Sequence, residues 1–144
     1  MSHPAPASVV LPREIADAIT AQARAESPNE ACGLIIGSAA AGDGGIALRY
    51  EPCRNAAASP VRYTVHPDDL YRHAVGADDA GEVFWGIVHS HVRSPAVPSR
   101  TDIGLAFYPD AVFVIVSLAV ERAPSLRGWR ILDGVVHEVA LEVA

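Results

Sequence analysis

Residues 111–120 read Ala111-Val112-Phe113-Val114-Ile115-Val116-Ser117-Leu118-Ala119-Val120, with Ser117 alone interrupting the apolar side chains. A strand that buries one face alternates polar and apolar residues; a nearly continuous apolar run buries both faces and belongs in the middle of a sheet. The run is about half the length that a membrane-spanning helix requires, so it reads as core rather than as a span. The rest of the chain must supply its neighbours and its cover.

Those neighbours are legible in order. After a loose lead-in over residues 1–7, residues 8–11 suit a short edge strand. Pro12 fits the first position of a helix, and residues 12–26 are alanine-rich with Ile15, Ala18, Ile19 and Ala23 on one face, ending at Ser27-Pro28. Residues 34–38 and 46–50 form a hairpin around Gly42-Asp43-Gly44-Gly45. The alternating, β-branched residues 61–65 predict another strand, and Pro67-Asp68-Asp69 opens a second helix running to about Ala77, with Leu70, His73 and Ala74 inward. Residues 83–88 are an apolar strand, 101–107 a short third helix, and 128–132 and 135–139 flank Asp133-Gly134, a strong hairpin signal. The sum is a mixed β-sheet with flanking helices, an α/β layered fold in one domain spanning residues 1–144.

The balance of 17 acidic to 11 basic residues, a net charge of −6, argues against nucleic acid or an anionic membrane as the main partner. All the basic residues are Arg, which reads as compositional bias. Two cysteines, Cys32 and Cys53, have no disulfide-framework spacing, and the first residues carry no signal-peptide pattern. Both point to a reduced, cytoplasmic setting. Exposed edges of a small sheet make a homodimer an expectation.

The apolar strand 83–88 leads into His89-Ser90-His91, and strand alternation puts both imidazoles on one face and Ser90 on the other. Asp102, beyond a proline-interrupted loop, adds a carboxylate. Three such ligands with one open position are the pattern of a catalytic zinc. Each piece has an ordinary reading as well. A His-x-His pair occurs in plain strands, and Ser99 with Asp102 three residues on is a helix capping box. Glu30 alone reads as a solvated turn residue, Cys32 as a small buried hydrophobe, and Asn55 as a turn residue. Cys53 has no evident chemical context. His3, His66, His73 and His137 read as surface or structural.

The joint spacing is rarer, on the order of one chain per thousand by chance. Glu30 upstream, His89-x-His91, seven residues, Ser99, two residues and Asp102 together resemble the motif of the JAMM (MPN+) metalloproteases. The segments 27–33, Tyr63 with His66-Pro67, 98–102 and 129–134 look like those of the small bacterial Mec-type members, which act on ubiquitin-like sulfur-carrier proteins. The resemblance implies the cytidine-deaminase-like JAMM/MPN fold, and Zn²⁺ on His89, His91 and Asp102. It implies Glu30 as the proton carrier and Ser99 as a stabiliser of the oxyanion. The implied reaction cleaves a peptide or isopeptide bond after the carrier's C-terminal Gly-Gly, releasing cysteine or another amino-acid or peptide adduct. A non-catalytic MPN-type interaction module is the alternative; such modules usually lack one or more of the five positions, all present here.

Overall fold

The structure, a computed structural model, describes residues 6–104, 106–120 and 122–144. The elements in chain order are β1 (Ser8–Leu11), α1 (Arg13–Glu26), β2 (Cys32–Gly37), β3 (Ala47–Cys53), α2 (Pro67–Asp79), β4 (Val83–His91), α3 (Arg100–Gly104), β5 (Val112–Ser117), β6 (Ser125–Leu132) and β7 (Val135–Val143). The strands form one seven-stranded sheet in the order β1-β7-β6-β5-β4-β2-β3. Only β1 with β7 and β4 with β5 run parallel, so the sheet is mixed, as the sequence predicts.

The apolar run becomes β5, every residue of which is buried. Alternate residues of the central strands feed two cores, one on each side of the sheet. Val88, Val112, Val114 and Val116 pack with Ile15, Ile19 and Ala23 of α1. Ile87, Phe113 and Ile115 pack on the opposite face with Leu34, Ala77 of α2 and Ile103 of α3. Burying side chains of this size contributes roughly 1.5–3 kcal/mol each, which ties both helices to the strands that carry the site. Gly33 is needed where the layers meet, because a side chain there would collide with the Tyr50 ring. Tyr50 in turn hydrogen-bonds Gln22, whose amide donates to the Cys32 carbonyl at 3.0 Å. The hairpin at Asp133-Gly134 is as expected, with φ of 51° and 76° at its two central residues.

Four expectations are corrected. Ala18 is exposed, and Ala16 takes the buried place beside Ile15, Ile19 and Ala23, because the sheet selects a slightly rotated face of α1. Residues 61–65 form no strand beyond an isolated bridge between Asn55 and Val65; Asn55 engages this segment's backbone with its side chain and holds it as a loop. Ala74 is exposed, since α2 packs through Leu70 and Ala77, which rotates Ala74 away from the sheet. The third helix spans only Arg100–Gly104, with Phe107 exposed beyond it; Leu105 lies outside the described residues, as do residues 1–5 of the lead-in, His3 among them. Among the described residues no helix is long and apolar enough to cross a membrane.

The loop after β3 is anchored to α2 by Asp69. Its Oδ2 accepts the Arg54 backbone N–H at 2.9 Å and Nε at 3.1 Å, while Oδ1 accepts Arg54 Nη2 at 3.0 Å. These bonds hold the Asp69 carboxyl well below the usual carboxylate range. A carboxyl held low contributes stability that is present above its unfolded pKa and is lost as pH falls through the folded one. Asp69→Asn is therefore expected to lower the thermal midpoint by several degrees, on the order of a 1 kcal/mol loss, near neutral pH. It should also flatten the acid-side fall of a midpoint-against-pH curve measured by calorimetry.

Candidate active site

The site lies where β4 ends. Because β5 runs parallel to β4, the chain must cross over from the end of one to the start of the other, and that crossover carries α3 across the face holding Ile87, His89 and His91. His89 sits between Cys32 of β2 and Ile115 of β5 in the sheet register. This leaves it 1% exposed. The crossover is pinned at successive points: Ser117 Oγ donates to the Ser94 carbonyl at 2.6 Å, Trp129 Nε1 to the Ala96 carbonyl at 2.9 Å, and His91 Nδ1 bonds the Pro95 carbonyl at 2.7 Å.

At its end, Ser99 and Asp102 form the reciprocal capping box. The Asp102 N–H donates to Ser99 Oγ at 3.0 Å, and the Ser99 N–H donates to Asp102 Oδ2 at 2.8 Å. That same Oδ2 lies 3.1 Å from His89 Nε2 and 3.0 Å from His91 Nε2, and the two Nε2 atoms are 3.1 Å apart. The three side chains are a buried cluster able to hold a metal ion.

The triangle fits a small divalent cation. Tetrahedral zinc with bonds of about 2.0–2.1 Å sets its ligand atoms about 3.3 Å apart, a few tenths of an ångström wider than the observed edges. The Pro95 carbonyl only accepts, so His91 carries a proton on Nδ1, and its Nε2 is the atom with a lone pair to offer a metal. Burial holds the His89 pKa below its ordinary value against the pull of Asp102, which favours the neutral imidazole a metal needs. Burial alone would raise the Asp102 carboxyl, but the two imidazoles beside it and the Ser99 N–H bond outweigh it and keep it far below the carboxylate range. Tyr63 stacks on His89 with centroids 4.3 Å apart and planes 16° from parallel.

Glu30 is not the solvated turn residue that its sequence neighbourhood suggests; it is 4% exposed. Two elements bury it. The Glu30 N–H donates to the Ser59 carbonyl at 2.8 Å, and the next residue, Ala31, donates to Ser90 Oγ of β4 at 2.7 Å. Ser90 thus faces away from the histidines, as alternation requires, and ties the Glu30 segment to their strand. Asn55 uses its whole hydrogen-bonding capacity here. Its Nδ2 donates to the Glu30 and Arg62 carbonyls at 3.0 and 3.1 Å, and its Oδ1 accepts from Ala57 and Thr64 at 3.0 and 2.9 Å. Sequence reasoning passed over that latch; Asn after a strand signals only a turn. Glu30 Oε1 has no hydrogen-bond partner, and burial first, with Asp102 adding and His91 opposing, pushes the carboxyl up to about 7. Glu30, His91 and Ser99 share a cleft of about 430 Å³ with Pro28, Pro60, Val61 and Arg93.

The other candidates resolve simply. His66 Nδ1 accepts from the Asp68 N–H and caps α2; His73 lies beside Glu51, and His137 is exposed. Cys32 and Cys53 are both buried and free, and burial pushes both thiols up to about 12. Neither is a nucleophile at neutral pH.

A mixed sheet presenting two histidines and a carboxylate at one strand end, beside a desolvated glutamate in a cleft, is a hydrolase-type site. The chain belongs to the JAB-domain family: the profile described as prokaryotic homologs of the JAB domain matches residues 12–132. It is 36% identical over 135 residues to the CysO-cysteine peptidase of Mycobacterium tuberculosis, covering 94% of this chain and 90% of that protein. The desampylase of Haloferax volcanii is 32% identical over 112 residues, 74% and 78% of the two chains. A protein from Desulfitobacterium hafniense solved in solution superposes with a TM-score of 0.79 at 29% identity, over 94% of each chain. A JAB1/MPN domain protein from Archaeoglobus fulgidus shares the fold, with a TM-score of 0.57 at 18% identity over 93% and 98%. The chain is a hydrolase of the peptidase class.

Two outcomes test this geometry. An unfolded carboxyl loses its proton near 4.5 and the folded Glu30 near 7, so the metal-free fold loses stability as pH rises across that window. In chelator, Glu30→Gln is expected to exceed wild type at about pH 8 by on the order of 2–3 kcal/mol in denaturant unfolding, with no advantage below about pH 4.5. Asn55→Ala should cost about 1–3 kcal/mol and, by releasing Glu30, slow turnover at least about tenfold while metal uptake is unchanged.

Proposed function

We propose that the chain is a zinc-dependent metallopeptidase acting on the bond that follows the C-terminal Gly-Gly of a ubiquitin-like sulfur-carrier protein, peptide or isopeptide. The product is free cysteine or another amino-acid or peptide adduct. The observation that carries this reading is the convergence of His89 Nε2, His91 Nε2 and Asp102 Oδ2 within 3.1 Å, with Glu30 and Ser99 lining the cleft beside them.

Zinc held by His89, His91 and Asp102 supplies Lewis acidity, lowering the pKa of water toward about 7 and polarising a carbonyl. Glu30 accepts the water's proton on Oε1 and delivers it to the departing amine; a carboxyl poised near neutrality serves in both directions. Ser99 Oγ accepts from the Asp102 N–H, which leaves its own proton to donate to the developing oxyanion. The capping box and the catalytic task thus use different parts of one hydroxyl. His91 keeps its Nε2 lone pair aimed inward through Pro95, and the Tyr63 ring shields one face of His89 from water.

The substrate class rests on the relatives. The names CysO-cysteine peptidase and desampylase belong to proteins that align over most of this chain, and the Mec-type segments match in this sequence. The cleft, walled by Pro28, Pro60 and Val61, accommodates an extended tail rather than a folded domain, and glycine permits the close backbone approach. The two free, buried cysteines accord with a reduced cytoplasmic compartment. A non-catalytic interaction module has no need of five such groups brought to one point.

Glu30→Gln is expected to retain one zinc per chain and to lose cleavage of carrier–cysteine or carrier–lysine conjugates by about a hundredfold or more, read by mass spectrometry. Asp102→Ala should lose the zinc. Full metal occupancy in Asp102→Ala would remove Asp102 from the ligand set, and undiminished cleavage by Glu30→Gln would remove the glutamate from the chemistry.

A further inference from the structure

The geometry points to Arg93 as the subsite for a free α-carboxylate on the residue that leaves, so that the enzyme selects single amino-acid adducts at a carrier terminus over side-chain isopeptides. This rests on the peptidase reading above and names its specificity determinant.

Among the described residues, Arg93 is the one arginine lining the cleft that holds Glu30, His91 and Ser99. The remaining walls, Pro28, Pro60, Val61 and Val92, carry no charge. Five of the other arginines are committed to carboxylates: Arg49 to Glu51 and Glu82, Arg54 and Arg72 to Asp69, Arg127 to Glu138, Arg130 to Asp110. Arg93 is exposed and makes no ion pair or side-chain hydrogen bond among the described residues. Its backbone is nevertheless fixed, because the neighbouring Ser94 and Pro95 carbonyls are tied to Ser117 and His91. A guanidinium held beside an anionic site with no internal partner is a ready carboxylate receptor, since its fork matches both oxygens.

The spacing is right for the leaving residue. Arg93 stands two residues beyond His91, at most about 7 Å along the chain. In an amino-acid adduct the carboxylate is three covalent bonds from the scissile carbonyl carbon, on the far side of the departing nitrogen. Water adds to that carbonyl carbon, the C–N bond breaks, and the amine leaves protonated with its carboxylate still on Arg93. An isopeptide-linked lysine places four methylenes at that position and no charge within reach. The surrounding chain supports an anionic guest: segments 55–66 and 92–101 contain Arg62, Arg93 and Arg100 and no acidic residue, in a protein of net charge −6.

The test uses the zinc-loaded full chain and the ubiquitin-like carriers encoded in the same genome, each extended by one cysteine as the free acid or as the carboxamide. Wild type is expected to favour the acid by about tenfold or more in kcat/KM. Arg93→Ala should lose about that factor on the acid and less than about twofold on the amide, Arg93→Lys should recover part of it, and Arg49→Ala, beside Glu82 at the opposite end of β4, should match wild type. Equal cleavage of acid and amide by wild type overturns the proposal, as does an equal loss on both in Arg93→Ala, which would make Arg93 a general docking contact. If wild type cleaves no conjugate, the peptidase reading falls. Calorimetric binding of the same pair to Glu30→Gln then decides the subsite: an Arg93-dependent preference for the acid upholds it, and no preference overturns it.

Discussion

One oxygen atom, Asp102 Oδ2, joins the local and the long-range structure of this protein. It accepts the Ser99 N–H, which starts α3, and it faces both histidine Nε2 atoms at the end of β4. A helix of five residues has little stability of its own, so its cap and its packing through Ile103 decide where it lies. The parallel pairing of β4 with β5 forces the crossover, the crossover brings the cap to the histidines, and the cap aims the carboxylate. Without that bond, the three ligand atoms would have no common point.

The second constraint is the burial of Glu30. The antiparallel register of β2 on β4, with Cys32 opposite His89, brings the residues before β2 alongside His91. Leaving a carboxyl there unpaired is costly. The fold accepts this by holding the backbone of Glu30 and Ala31 with good hydrogen bonds, from Asn55 and Ser59 to Glu30 and from Ser90 to Ala31, while Glu30 Oε1 is left without one. The backbone is pinned where the carboxyl is desolvated, an arrangement that suits the proton transfer proposed for Glu30.

Much of this was legible in the chain. The unbroken apolar character of β5, the alternation that pairs His89 with His91, and the Asp133-Gly134 turn each follow from a local rule, and the fold obeys all three. The capping box was legible too; the structure shows that its carboxylate also stands against both imidazoles, in a cluster able to hold a metal ion. What local rules miss is set by distant partners. Residues 61–65 have the composition of a strand, yet the Asn55 side chain takes the Thr64 N–H and Arg62 carbonyl, which places the segment over Glu30 as a loop. The same long-range contact buries Glu30, which no neighbour in sequence could reveal. Ala74 faces solvent because the α2 face is chosen by the sheet beneath it, and the place of Arg93 beside Glu30 and Ser99 is visible only once the cleft is assembled.

The central claim is that His89, His91 and Asp102 bind one metal and that the thiols of Cys32 and Cys53 take no part. Zinc-edge X-ray absorption on the reconstituted protein tests it most directly. The account predicts nitrogen and oxygen scatterers only, at about 2.0–2.1 Å, with the outer-shell signature of two imidazoles. A sulfur shell at about 2.3 Å, or the absence of paired imidazole scattering, would contradict it.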